Sequence, residues 1–376
     1  MTSFRMIVLR AAVAAIAVPS ALAAQDLPIN GLQPRPDNPP TRQGTRGANF
    51  LQLGVGARAN AMGGAVASLI DGPTSWYWNP AGAASAEQFS VAVARGDLYQ
   101  DLDITHNFAG VSLPFAGGAL GVSFVSLNSG DIARTDANSP RADDPARGST
   151  FNWGSSAIGL GYARRLTDRL DIGAHAKYVS EGINDASINW LALDLGTQFR
   201  TGIYGLSIGA TIQNIGSASR MSGPLLERRI DDENVSPQIT KTEFNTADIE
   251  LPTLFRFSVG TDLYGRAGSL LGTGGGRQSL SGEVAFNDAI DTDVQLAFGL
   301  EYGFADVVFV RLGKRFYNDE RAAVGEDEES LKGTYGLSGG LGVRLPLARR
   351  GLKFDYAYTS LGDLRNVQVF SFELGR

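Results

Sequence analysis

The chain contains no cysteine, which excludes disulfides, thiolate nucleophiles and thiolate metal sites. Histidine is almost as scarce. His106 and His175 are the only two, too few and too far apart for a histidine-rich metal centre. No Ser/His/Asp grouping follows from so small a set, and the chain reads as a non-enzyme without a cofactor. Basic residues are not in excess. With 39 acidic against 33 basic side chains, the net charge is −6, and a nucleic-acid partner would need a basic footprint. Beyond the N-terminal stretch, no apolar run approaches the ~18 residues of a membrane-spanning helix. Glycine, by contrast, is abundant: 47 of 376 residues, well above the ~7% of average usage.

The first residues read as an export signal spanning 1–23. Arg5 and Arg10 give a positive start, Ala11 to Val18 an apolar stretch, and Ala21-Leu22-Ala23 a small-residue cleavage site. Residues 24–49, rich in Pro, Asn, Gln and Arg without periodicity, read as an extended tether. An exported chain without a spanning helix is secreted, periplasmic or a barrel.

Residues 88–376 decide among these. About fourteen short segments alternate apolar and polar residues, the pattern of a strand with lipid on one side and water on the other. They start near Gln88, Ile104, Ala119, Phe151, Arg169, Ser187, Ile203, Thr253, Ser279, Thr292, Val307, Thr334, Leu352 and Asn366. In one of them Val294, Leu296, Phe298, Leu300, Tyr302 and Phe304 share a face, opposite Gln295, Ala297, Gly299, Glu301 and Gly303. Asp171, His175, Lys177, Asp194, Glu301 and Arg344 fall on the polar faces of their segments, and are expected to line a watery lumen. Phe304, Phe316, Tyr317, Tyr335 and Tyr356 are expected near segment ends, as in an aromatic girdle.

Loop lengths give orientation. Long polar connections follow the third segment (Asn128 to Thr150), the seventh (Gly216 to Leu251) and the eleventh (Asn318 to Gly333), whereas short turns follow even ones. An outer-membrane barrel has short periplasmic turns and long external loops. Tyr264 to Gln278 is an even connection that is longer and Gly-rich. The expected fold is therefore all-β: a transmembrane antiparallel β-barrel of about fourteen strands in the outer membrane, with outer-membrane lipid as its surroundings.

Residues 50–87 are too rich in small residues for a strong helix and too broken by glycine for a strand. A segment of this kind before a barrel is expected to fold into its lumen as a plug. Gly63-Gly64 supplies a tight turn, and Asn79-Pro80 a junction to the first strand. Arg58, the lone charge of its run, has two readings: a pair with a lumenal carboxylate such as Asp194 or Glu301, or a solvent-exposed arginine at the periplasmic mouth.

The run Phe50 to Gly82, with Gly56, Ala57, Arg58, Met62, Gly63, Gly64, Trp78, Asn79, Pro80, Ala81 and Gly82 at the matching positions, resembles the N-terminal signature of the PorV/PorQ family, within the larger class of FadL-like barrels. That resemblance implies a non-enzymatic accessory of type IX protein secretion, binding the translocon or substrate sorting domains. FadL-like kinship implies the alternative, a plugged channel for hydrophobic small molecules. Two features remain. Glu326 to Glu329 and Asp231 to Glu233 lack the spaced ligands of a calcium loop and read as solvated loop. The chain also ends in Arg376, where many outer-membrane barrels end in an aromatic residue.

Overall fold

The computed structural model describes residues 44–376 except 101, 136–149, 231–239, 274–275, 293, 318–335, 348–349, 363–364 and 376. The export signal, most of the tether, Tyr335 and both acidic runs lie outside the described residues.

Fourteen antiparallel strands close into one ring in which, apart from the first and last, every neighbour in space is a neighbour in sequence. They are β1 Ser90–Leu98, β2 Ile104–Phe115, β3 Gly118–Asn128, β4 Trp153–Arg165, β5 Leu170–Ile183, β6 Ala186–Arg200 and β7 Ser207–Gly216. The second half comprises β8 Leu254–Tyr264, β9 Gln278–Ala289, β10 Gln295–Phe304, β11 Val308–Tyr317, β12 Leu337–Leu347, β13 Arg350–Ser360 and β14 Asn366–Leu374. Closure comes from β14, whose Phe372 pairs with Val93 of β1 on one side and with Phe354 of β13 on the other. The last strand is thus paired along both edges.

The strands run from 9 to 15 residues, the length that a tilted spanning strand requires. Their outer faces are apolar and open: Leu191 is 70% exposed, Leu160 61% and Leu312 60%. Leucines this exposed around a whole ring suit acyl chains and would be an aggregation hazard in water. Along β10 the alternation is direct, with Leu300, Tyr302 and Phe304 exposed and Ala297 and Glu301 buried. No described helix is long and apolar enough to cross a membrane; the crossing is made by strands.

Two sequence expectations shift locally. The seventh strand starts at Ser207 rather than near Ile203, because Gly202, Tyr204 and Gly205 all adopt positive φ and the Leu206 N–H closes a turn onto the Ile203 carbonyl. Tyr356 lies mid-strand in β13, its ring 4.9 Å from Phe370, rather than at a strand end. The Tyr264–Gln278 connection folds back, with Leu270 and Leu271 N–H donating to Asp262 and Leu263 carbonyls. In the connection between β7 and β8, Arg220 pairs with Asp248 at 2.5 Å, and this hydrogen bond holds the Asp248 carboxyl below the usual carboxylate range.

Between residue 44 and β1 the chain forms a 3₁₀ turn Asn49–Gln52, a short helix α1 Ala57–Ala61, another α2 Ser75–Trp78, and a 3₁₀ turn Pro80–Ser85. The α1 helix contacts β11 to β14, whereas the Pro80–Ser85 turn contacts β3 to β6. These strands stand on opposite sides of the ring, so the segment occupies its interior. Wall glycines make the room. The Trp76 indole fills the space where side chains at Gly121 and Gly161 would project, and Met62-Gly63 does the same at Gly313.

Candidate functional site

The inner segment meets the wall through its backbone as well as its side chains. Asn79 is the central connector: its Nδ2 donates to the Ala67 carbonyl at 2.7 Å and to Thr197 of β6 at 3.0 Å, while its Oδ1 accepts from the Ala81 N–H. The fixed φ of Pro80 opens the following 3₁₀ turn. Trp78 donates to Val55 at 2.9 Å, and Trp76 to Ser112 of β2 at 2.9 Å. Tyr77 donates to the carbonyls of Leu51 and Leu53, pinning the start of the segment to its end. Gly63 and Gly64 take φ of 66° and 83°, and Arg315 holds the Gly63 carbonyl at 3.1 Å. Gly56 precedes α1, Ala57 N–H donates to Ser371 of β14, and Met62, Ala81 and Gly82 pack in the buried interior.

Three charge clusters face inward from the wall, and the first joins it to the segment. In the first, Arg58 makes a two-point contact to Glu301, Nε to Oε2 at 2.9 Å and Nη2 to Oε1 at 3.1 Å. Arg311 bonds the same carboxylate at 2.6 Å and reaches Asp355 at 2.7 Å. Two cations thus meet two anions, the balance that a buried network needs. The pairing is with Glu301, not Asp194.

In the second cluster, Asp171 receives Arg200 at 2.5 Å and Arg165 at 3.3 Å. The third centres on Asp194, which takes Lys177 at 2.8 Å and the Asn214 N–H at 2.7 Å, with His175 Nδ1 at 3.4 Å. Arg344 stands apart from all three, its guanidinium 5.9 Å from the Phe309 ring centre.

Ser123 Oγ lies 3.1 Å from His175 Nε2, so Ser123, His175 and Asp194 follow the order of a hydrolytic relay. The surroundings give it a packing role. Ser123 and His175 are 4% and 1% exposed, and the Trp76 ring lies 5.9 Å from the imidazole. Asp194 is already engaged by Lys177. Among the described residues, no group of three or more metal-ligating side chains is assembled.

The open space is elsewhere. A cavity of about 300 Å³ lies between the inner segment and the wall, lined by Gln52, Leu53, Trp78, Arg256, Asn287 and Arg315 among others. Arg256 is the third residue of β8, just after the long connection, so the cavity lies at the long-loop end. Its guanidinium sits 4.4 Å above the Trp78 ring and is 4% exposed. Among the described residues its Nε and Nη1 have no hydrogen-bond acceptor, nor has the Asn287 Oδ1 a donor. A buried cation with free N–H groups beside an apolar wall is costly unless something fills the gap.

Arg256, Arg311 and Asp355 are absent from the lumenal residues read from the sequence. The signal was there: each lies between two apolar outward residues, as Arg256 does between Phe255 and Phe257.

No protein-family profile matches this chain, and no curated protein sequence does either. Solved structures do. The Pseudomonas putida toluene transporter TodX superposes with a TM-score of 0.52 at 10% identity, over 85% of this chain and 97% of that one. A TodX deltaS2S3 mutant monoaromatic hydrocarbon channel gives 0.52 at 9% identity, over 85% and 98%. A Pseudomonas aeruginosa FadL homologue gives 0.49 at 9%, over 86% and 98%. At these identities the likeness concerns the fold. With the closed ring and its apolar outer belt, it makes this chain an outer-membrane β-barrel.

Proposed function

We propose that this protein is a FadL-like channel that admits small hydrophobic molecules bearing a polar or anionic end, with residues 50–87 as its plug. The observation that carries the reading is the cavity at the long-loop mouth, where the Arg256 guanidinium, its Nε and Nη1 unpartnered among the described residues, stands on Trp78 beside Leu53 and Leu254. A carboxylate there gains charge-assisted hydrogen bonds, while an alkyl or aryl body covers Trp78 and the leucines. Binding relieves the free N–H groups of Arg256, so occupancy offsets a cost that the empty barrel bears.

The TodX likeness supports this reading, since that protein is a toluene transporter. The secretion role implied by the Phe50–Gly82 motif draws no support from the comparisons, and a sorting-domain partner has no use for a cavity of this size. Being a non-enzyme is part of the same proposal: the relay-like Ser123–His175–Asp194 set packs the plug against the wall.

Passage requires the plug to shift. Apolar packing as well as hydrogen bonds and ion pairs link it to the wall, and a ligand that competes for Arg256 and Trp78 loosens the side of the plug nearest the mouth. The test is a Trp-fluorescence titration of detergent-solubilised protein with decanoate and with toluene, alongside uptake of both labelled compounds by cells with and without the gene. Saturable binding and gene-dependent uptake are expected. Unchanged uptake together with loss of surface proteins bearing C-terminal sorting domains would instead establish the secretion role.

A further inference from the structure

The outer surface of the barrel is not uniformly convex. Over β4 to β8 it carries an apolar groove of about 510 Å³, and strand register explains its shape. One row across the strands runs Arg164, Ile172, Thr197, Ala210 and Phe257; the next runs Tyr162, Ala174, Leu195, Ile212 and Phe255. The outward residues Ala174, Thr197 and Ala210 are small, so the surface sinks between the larger side chains around them.

The groove is oblique to the membrane. Arg164 is the next-to-last residue of β4, beside the short turn that leads into β5, whereas Phe255 is the second residue of β8, beside the long connection. Short turns face the periplasm, so the groove climbs from the periplasmic rim into the bilayer. At its lower end the two adjacent arginines divide. Arg165 turns inward to Asp171 at 3.3 Å, while Arg164 is exposed on the lipid side with no hydrogen bond or ion pair among the described residues. An arginine facing lipid costs ~2–4 kcal/mol at the midplane and almost nothing at the interface. This one stands at headgroup depth.

We propose that this groove is a binding site for one anionic phospholipid of the periplasmic leaflet, its phosphate on Arg164 and an acyl chain along Ala174, Thr197 and Ala210. Charge and shape both select that occupant. A guanidinium recognises a phosphate through paired N–H donors, and the depression behind it is apolar and runs in the direction an acyl chain takes from its headgroup. A second copy of the chain fits poorly, because a two-fold contact needs a self-complementary patch and the two rows supply a hollow without a matching knob.

The test is native mass spectrometry of the barrel in mild detergent with equal amounts of phosphatidylglycerol and phosphatidylethanolamine. Selective retention of one phosphatidylglycerol is expected. Arg164→Gln should lower that selectivity by about fivefold, the factor one basic residue contributes near an anionic surface. Ala210→Leu, which fills the groove from the lipid side, should lower retention of both lipids. Equal retention of the two lipids by the wild type, unchanged selectivity in Arg164→Gln, or a protein dimer that retains no lipid would each overturn the assignment.

Discussion

Arg58 and Glu301, 243 positions apart in sequence, meet in a two-point contact at 2.9 and 3.1 Å between the inner segment and the barrel wall. Glu301 is shared with Arg311 at 2.6 Å, so removing Arg58 leaves the carboxylate one partner. Removing Glu301 leaves two cations close together with only Asp355 and the more distant Asp71 between them. Arg58→Ala should therefore lower unfolding stability by about 2–3 kcal/mol, the scale of charge-assisted hydrogen bonds. Glu301→Ala should cost more, about 3–5 kcal/mol, as for a buried pair broken from one side. Urea unfolding in lipid vesicles gives the order; a larger loss for Arg58→Ala would contradict the network.

Lipid contact is tested by two residues of comparable exposure in different surroundings. Leu300 in the middle of β10 is 47% exposed and Ile203, in the turn before β7, is 61% exposed. Leu300→Arg should cost ~2–4 kcal/mol in a bilayer, whereas arginine near the interface costs ~0–1. Refolding of both variants into vesicles measures the difference. Equal, small costs would argue that the ring does not face lipid.

Trp76 is fully buried, donates to Ser112 and fills the space over Gly121 and Gly161. Trp76→Ala should destabilise by about 3–5 kcal/mol and loosen the inner segment, raising ion conductance in planar bilayers. Conductance equal to the wild type would place the permeation barrier elsewhere.

Arg256 should behave in the opposite sense. Its unpaired N–H groups burden the empty barrel, so Arg256→Met should unfold at a higher temperature than the wild type when no ligand is present. The same variant should bind decanoate about tenfold or more weakly while leaving toluene binding nearly unchanged, since hydrogen bonds to charged groups contribute about 1.5–3 kcal/mol. Differential scanning calorimetry and the fluorescence titration report the two effects separately.

The ring was legible because lipid imposes alternation on every strand, and alternation is local. Starts read from sequence fall within a few residues of those observed, for example Ile104 and Asn366 without shift. The seventh strand was misplaced by the positive-φ turn at Gly202, Tyr204 and Gly205, whose Tyr204 gives no turn signal. Inside the barrel, local pattern stops helping. The α1 and α2 helices span five and four residues, too short for a 3.6-residue period to register. Arg311 and Asp355 are visibly inward by alternation, yet their pairing depends on which positions of β11 and β13 the closed ring brings level. Trp76 reads as one aromatic in a turn-rich run until the glycines of β3 and β4 are set around it.

A lock on the inner segment tests the channel most directly, and the absence of native cysteine makes it clean. Ala65 of the segment packs with Ala285 and Ala297 of the wall in one buried cluster, so a cysteine at 65 with one at 285 or at 297, whichever pair oxidises fully, supplies the cross-link. Uptake of labelled toluene and decanoate should stop in the oxidised protein and return on reduction, with each single-cysteine variant behaving as wild type. Undiminished uptake by the fully cross-linked barrel would contradict a plug that must move for its ligand to pass.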